Sequence, residues 1–398
     1  MLGYALNLLG TQNSIAVASI LSGDYTRAMP IVSSLFTVKD FQHNAKDDYV
    51  QILIAESDVR HKFPSLLSQL GKIGLVATVT KRQYIRWLMP TLKSARLSIS
   101  GGTVLTVHRL PQQKARHTLL RFLPLGLFVV TLTVVFIDGM IRSDSIFARM
   151  GIQDPVILAV VYTMSLMGIL GIHELGHMIA AKHYGIRMSW PYFIPMYPGF
   201  FSPTLGAMIR LKSNMPNRNA MFDVGISGPI AGLIITVIVS IYGSSISVLI
   251  PADEAQRFME DSQLFELSTS VLMMATMQLT GTLSDDMVLV MSPVMFAAWL
   301  GFLLTFLNLI PAAQLDGGHV TRATLGSKYH RLMTFGGIGI LFALQYPVMG
   351  ALVLIMAIKA PENPPLDDVT PISKGRKILF IVALALAGLC APLPSYLF

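Results

Sequence analysis

The chain has a single cysteine, Cys390, in 398 residues. That scarcity excludes an intrachain disulfide framework, a multi-cysteine metal site and an iron–sulfur cluster, so any metal here would need histidine and carboxylate ligands. Charge is scarce as well. Asp, Glu, Lys and Arg supply 13% of the residues against 53% hydrophobic ones, with a mean hydropathy of +0.59. An ordinary water-soluble domain carries about 25% charged residues, so the composition points to a membrane chain. The formal net charge of +8 raises nucleic acid as a partner, and the location of the charges decides that question.

The charges lie at one end. Residues 1–117 hold 14 Lys/Arg against 6 Asp/Glu, which accounts for the whole excess of +8. Within this polar stretch Phe63–Leu70 reads as a short helix, and the β-branched runs Gly74–Thr80 and Thr103–Arg109 read as strands. Residues 1–117 are therefore expected to form a small soluble α+β domain on the cytoplasmic side. No nucleic-acid motif is recognisable and the basic residues alternate with apolar ones. A solvated face beside an anionic leaflet is preferred, and no nucleic-acid partner is expected. Pro111–Arg116 reads as a flexible link. The opening Met1–Gly10 lacks a basic flank and a cleavage site and is not read as a signal peptide.

Residues 118–398 form the second expected domain. Long apolar stretches run over Phe122–Ile137, Val156–Ile172, Val224–Ile250, Val288–Ile310, Leu332–Ile358 and Ile378–Phe398. A helix needs about 17–25 residues to cross a bilayer, so the fold class is a polytopic α-helical membrane protein with about six transmembrane helices. Leu264–Thr280, interrupted by Glu266 and Gln278, is assigned to an interface. Lys114, Arg116, Arg121, Lys182, Arg187, Arg218, Arg322, Lys328 and Arg331 fall on one side if the N-terminus is cytoplasmic. The loop around Arg257, with Asp253, Glu254, Glu260, Asp261, Glu266, Asp285 and Asp286, falls outside.

The second apolar stretch ends in His173-Glu174-Leu-Gly-His177. At about 100° per residue, a four-residue step brings both imidazoles to one helix face, where they can share a metal, with Glu174 near enough to take a proton from water. Two His and a Glu in hydrocarbon cost several kcal/mol unless paired, hydrated or metal-bound, so their placement argues for function. A hydrolytic zinc site takes three protein ligands and leaves one position open. The candidate for the third is Asp316, in Asn308-Leu-Ile-Pro311-Ala-Ala-Gln-Leu-Asp316-Gly317-Gly318-His319. Pro311 stops the helix and the two glycines permit a turn where the carboxylate is needed. His319 is left as a polar loop residue, with a place beside the metal as the alternative. Between the apolar stretches, Met188–Arg210 is aromatic and repeatedly broken by Pro and Gly. It is read as a re-entrant loop or β-hairpin beside the site, with an interfacial aromatic belt as the alternative.

These motifs together resemble those of the site-2 protease family of intramembrane zinc metalloproteases. Lys212–Gly232 and Pro364–Pro371 are similar to conserved stretches of its plastid, cyanobacterial and archaeal branch, and no PDZ-like insertion is evident. The likeness is strongest over residues 156–332. It implies one zinc ion held by His173, His177 and Asp316, with Glu174 as catalytic base and Asn308 orienting substrate or stabilising the oxyanion. It also implies that substrate pairs with the edge of the Met188–Arg210 hairpin, and Pro195, Gly199, Phe200, Pro203 and Gly206 are taken as substrate-binding.

The expected function is hydrolysis of membrane-spanning or membrane-anchored proteins near the cytoplasmic face of a prokaryotic cell membrane, with the bilayer and transmembrane proteins as partners. A membrane metal transporter or sensor, or a non-proteolytic membrane chaperone with the same zinc site, is the alternative. The oligomeric state is left open.

Overall fold

A computed structural model describes residues 24–44, 47–81, 102–110, 122–143, 154–251, 254–257, 267–283, 287–359 and 364–393. The expectations about Met1–Gly10 and the Pro111–Arg116 link lie outside those residues. The chain divides into two units.

The first unit comprises Met1–Ala115 together with Met215–Arg218 and Asn363–Ile372. Its elements are α1 (Asp24–Leu35), β1 (Val38–Asn44), β2 (Tyr49–Ile54), α2 (Phe63–Lys72), β3 (Leu75–Lys81) and β4 (Thr103–Arg109). The strands make an antiparallel sheet in the order β1-β2-β4-β3. Alternation explains which face is buried: Val50, Ile52 and Ile54 of β2 lie opposite Val107, Leu105 and Thr103 of β4, and Leu66 and Leu70 of α2 join them in one core. α2 starts where Pro64 fixes the first turn.

The two distant segments complete this sheet. Along the outer edge of β3, Val79 N–H donates to Leu366 O at 2.7 Å and Asp368 N–H donates to Val79 O at 3.1 Å. Leu366 N–H donates in turn to Met215 O at 2.8 Å. Leu366 and Val369 enter the core, and Asp367 Oδ1 accepts the Val369 and Thr370 N–H groups at 3.0 Å each, closing the turn that follows. This is the structural place of the Pro364–Pro371 motif.

The second unit is mostly helical. It contains α3 (Leu123–Ser143), α4 (Pro155–His183), the hairpin β5 (Tyr192–Pro195) and β6 (Thr204–Met208), α5 (Arg218–Ser245), β7 (Val248–Pro251), α6 (Val271–Leu279), β8 (Met287–Val290), α7 (Pro293–Leu309), α8 (Asp316–Leu325), α9 (Ser327–Ala343), α10 (Pro347–Lys359) and α11 (Lys374–Cys390). Among the described residues α3, α4 and α5 are long and apolar enough to cross a membrane, while α7 and α10 are shorter apolar helices. Side chains such as Leu125, Ile157, Ile179 and Ile238 are exposed, as a lipid-facing surface requires. α7 is central: Met295, Trp299, Phe302 and Phe306 anchor the core together with Tyr162, Leu166 and Leu170 of α4.

Three stretches depart from the expected helices. The run Leu332–Ile358 is split, because Gln345 takes φ +64° and Pro347 opens a new helix. The run Val288–Ile310 begins as strand β8, and its helix starts only at Pro293, where Ser292 Oγ accepts the Met295 N–H at 3.1 Å. The first helix does not stop at Ile137 but runs to Ser143, carrying Asp138 and Arg142 inside it. Leu264–Thr280 contains α6, whose Met273 and Met277 join the core. Buried hydroxyls tie that region together, with Ser240 Oγ 2.6 Å from Thr276 Oγ1 and Ser244 Oγ 2.8 Å from Thr280 Oγ1. Such bonds satisfy polar groups where water is absent.

Candidate active site

α4 starts at the N-cap Asp154, whose carboxylate accepts the Val156 N–H at 2.7 Å, and its far end carries His173, Glu174 and His177, all buried. The helical period places the two imidazoles together, Nε2 to Nε2 3.2 Å apart. α5 is shaped to receive them. A Cβ on Gly228 would come 2.1 Å from His177 Nε2, and one on Gly232 would come 3.1 Å from His173 Cβ. The small residues at this four-residue interval therefore make room for the two rings. The Val224 carbonyl of the same helix lies 2.7 Å from His177 Nδ1. That carbonyl can only accept, so Nδ1 carries the proton and donates it in a hydrogen bond, which leaves the Nε2 lone pair facing the site.

Asp316 arrives from the other side. α7 ends at Leu309, Pro311 prevents its continuation, and the chain turns through Ala313 at φ +47° before α8 begins with Asp316. A Cβ on Gly317 would lie 2.2 Å from Leu309 O and one on Gly318 2.3 Å from Ala313 O, so the turn can be this tight only with glycine after the aspartate. Asp316 Oδ2 sits 3.3 Å from His173 Nε2 and 3.2 Å from His177 Nε2.

Two imidazole nitrogens and one carboxylate oxygen thus form a near-equilateral triangle. A tetrahedral zinc with bonds of about 2.0–2.1 Å separates neighbouring ligand atoms by about 3.3 Å. The donor set and its spacing both fit zinc, and among the described residues this trio is the group that could hold a metal ion. Asn308, the penultimate residue of α7, places Nδ2 3.3 Å from His173 Nε2. Glu174 lies within electrostatic reach of His173, His177 and Asp316.

The expected substrate-binding residues group elsewhere, on the hairpin. Tyr192 pairs with Met208 and Pro195 with Thr204, and Met196 N–H donates to Pro203 O at 2.9 Å. Gly206 has φ +91°, and a Cβ there would stand 4.0 Å from Leu304 of α7, one turn before Asn308. Gly199 and Phe200 are at the hairpin turn and contact α3 rather than the His–His–Asp trio. His319 is not part of that trio; its Cβ packs at Gly225. His183 is exposed on the last turn of α4, edge-on to Tyr184.

Residues 161–344 match Peptidase family M50. Over that stretch the chain is similar to the M50 peptidases, the site-2 protease family. The chain is 30% identical over 231 residues to "Probable zinc metalloprotease EGY1, chloroplastic" of Arabidopsis thaliana, an alignment covering 56% of this chain and 41% of that protein. It is 29% identical over 232 residues to "Probable zinc metalloprotease EGY2, chloroplastic" of Oryza sativa subsp. indica, covering 57% and 41%. Against "Probable zinc metallopeptidase EGY3, chloroplastic" of Arabidopsis thaliana the identity is 24% over 234 residues, covering 53% and 38%. The chain spans about two fifths of the length of these curated relatives, 41% of the first. No solved structure matches it significantly.

Several residues that support this site are not marked in the sequence. The Val224 carbonyl carries no side-chain signal. His330 and Thr334 of α9 hold the turn before Asp316, and nothing in their spacing from the motif announces it. Asp138 and Arg142 did leave a signal, a carboxylate and a guanidinium four residues apart in an apolar helix.

Proposed function

We propose that this chain is a zinc-dependent endopeptidase that cuts membrane-spanning or membrane-anchored proteins inside the bilayer, near its cytoplasmic face. The observation that carries this reading is the convergence of His173, His177 and Asp316 within 3.2–3.3 Å of one another, with Glu174 buried on the same helix. Zinc held by these three would supply Lewis acidity, lowering the pKa of water from 15.7 to about 7 and polarising the scissile carbonyl.

The chain's own residues do the remaining work. Glu174 accepts the proton of the attacking water and passes it to the departing amide nitrogen. Asn308 Nδ2 donates to the carbonyl oxygen as negative charge develops there. The hairpin with Pro195, Gly199, Phe200, Pro203 and Gly206 binds the substrate as an added strand, since a helical substrate hides its carbonyls in hydrogen bonds and has to be unwound. Among the described residues β6 pairs with β5 alone, and its Leu205 and Met208 are exposed. The hairpin follows the end of α4, yet its turn shares Asp138 with Tyr162, about two turns from the start of that helix. This placement alongside α4 supports reading the hairpin as a re-entrant element, since irregular backbone at membrane depth is tolerated where it packs on protein. The proposed location is a prokaryotic cell membrane with the N-terminal unit in the cytoplasm, an orientation supported by the distribution of basic residues.

The test is cleavage of a panel of single-span proteins by the purified chain in detergent, beside Glu174→Gln, with zinc content measured for each. Product from the unaltered chain alone, with about one zinc in both, is the expected result. Zinc in both and product from neither would favour a transporter, sensor or chaperone, and absence of zinc from both would overturn the ligand assignment.

A further inference from the structure

Asp138 is completely buried on α3, at 0% exposure, and no step of the hydrolysis uses it. Its carboxylate nevertheless collects three donors from three parts of the second unit. Arg142 Nε donates at 2.7 Å, Tyr162 Oη of α4 at 2.5 Å, and the backbone N–H of Gly199 at 2.7 Å. Arg142 extends the connection: its Nη2 donates to Phe200 O at 2.7 Å, and its guanidinium lies 3.9 Å from the Phe296 ring centroid on α7. The turn between β5 and β6 is therefore gripped through its backbone, at Gly199 N–H and Phe200 O, by one ion pair.

Burying an ion pair in an apolar helix is costly, and removal of one partner leaves an uncompensated charge. Packing of α3 on α4 has a second close contact besides the Tyr162–Asp138 bond. It lies at Gly139, where a Cβ would lie 3.1 Å from Ala159 Cα. What the pair adds is the hold on the hairpin turn. From that turn β6 runs back past Leu304, one turn before Asn308, whose Nδ2 is 3.3 Å from His173 Nε2. A strand pinned at its tip sets where its edge stands relative to the site. An added strand that slips by one residue moves about 3.3 Å and exchanges its two faces.

We propose that Asp138 and Arg142 are positioning residues that fix the β5–β6 hairpin in register with the catalytic centre, and so determine which peptide bond of an extended substrate segment is presented. This rests on the protease reading. The pair touches neither substrate nor metal and acts through the turn it holds.

The experiment uses the full chain in detergent, as the parent, Asp138→Asn and Arg142→Lys, with three readouts: zinc per chain, kcat/KM, and the cleaved bond located by mass spectrometry. A fourth readout needs no catalysis. In a Glu174→Gln background carrying Leu205→Cys, disulfide trapping is scanned against substrates with one cysteine moved along the sequence. The parent is expected to cut one bond and trap one substrate position sharply. Both clamp variants are expected to retain zinc, to lose about 10- to 100-fold in kcat/KM, and to spread cleavage and trapping over neighbouring positions. Unchanged cut sites and an equally sharp trapping profile in zinc-replete variants would overturn the proposal. So would loss of zinc from both variants, since that indicates a role in folding at large. If the parent cuts but Leu205→Cys traps no substrate position, the hairpin is not the register element and this inference alone falls. A parent that cuts nothing removes the protease reading and the inference with it.

Discussion

Thr334 Oγ1 accepts the backbone N–H of Ala313 at 3.0 Å, and so holds a non-glycine residue at φ +47°. One turn earlier on α9, His330 Nε2 lies 3.0 Å from Ala313 O, and Thr334 is itself fixed by donating to His330 O at 2.9 Å. The left-handed conformation is unfavourable for alanine and persists only when its surroundings impose it. Here that turn delivers Asp316 to the two histidines. Thr334→Val keeps the shape and removes the acceptor, and is expected to weaken zinc binding about 10-fold, within the range for groups that orient a ligand. Competition with a chromophoric chelator reads this directly, and unchanged affinity would show that the turn holds without Thr334.

The glycines of α5 make a graded prediction. Gly228→Ala would put a methyl 2.1 Å from His177 Nε2, whereas Gly232→Ala would put one 3.1 Å from His173 Cβ. The first cannot be accommodated without displacing a ligand and should abolish stoichiometric zinc. The second asks for a shift of a few tenths of an ångström and should leave zinc bound with reduced affinity. Metal analysis after gel filtration distinguishes the two, and equal zinc in both would contradict the close packing.

Arg376 of α11 donates through Nε to Asp223 Oδ1 at 2.7 Å and through Nη2 to Asp223 Oδ2 and Tyr184 Oη. One guanidinium thereby joins α11 to α5 and to the end of α4. Arg376→Met removes a bidentate pair that is about a quarter exposed, with side-chain exposures of 25% and 28%. It should lower stability by about 1–2 kcal/mol, at the modest end for charged hydrogen bonds because solvent screens the pair. A reduced midpoint in denaturant titration of the detergent-solubilised chain is the expected result.

In the first unit, burial in the sheet pushes the His108 imidazole below its ordinary value. Its register partners are Tyr49 on β2 and Val76 on β3. Because the folded state resists protonation, the unfolded chain binds the extra proton first. Stability from this residue is present above the unfolded value of about 6.5 and is lost as pH falls through it towards the folded value. Hydrogen exchange of β4 amides in the full chain, corrected for intrinsic rates, should show protection falling below about pH 6.5, and His108→Gln should flatten that slope.

What the sequence made legible follows from the range of the forces involved. The pairing of His173 with His177 is set by one helical turn, and the break that frees Asp316 is set by Pro311 and two glycines, so both could be read locally. Proline density likewise foretold irregular backbone where β5 and β6 form. The clamp on that hairpin could not be read, because Asp138 and Gly199 are far apart in the chain and meet only through helix packing. The capture of Leu366 by the edge of β3 is of the same kind. Pro30 inside α1 hid a helix that the core residues Tyr25, Ala28 and Val32 nonetheless form, tertiary burial outweighing a local penalty.

The sheet of the first unit also carries a consequence for biosynthesis. Its strands are made before the helices α3 to α10, but the segment that covers the outer edge of β3 and supplies Leu366 and Val369 is made after them. At about 5–20 residues per second, the interval between synthesis of β4 and of that segment is tens of seconds or less but not negligible. Throughout it the nascent unit presents an uncovered strand edge and an incomplete core, which is the form most open to wrong pairing. The order of synthesis thus makes completion of the first unit wait on translation of the helices that lie between its strands and that segment.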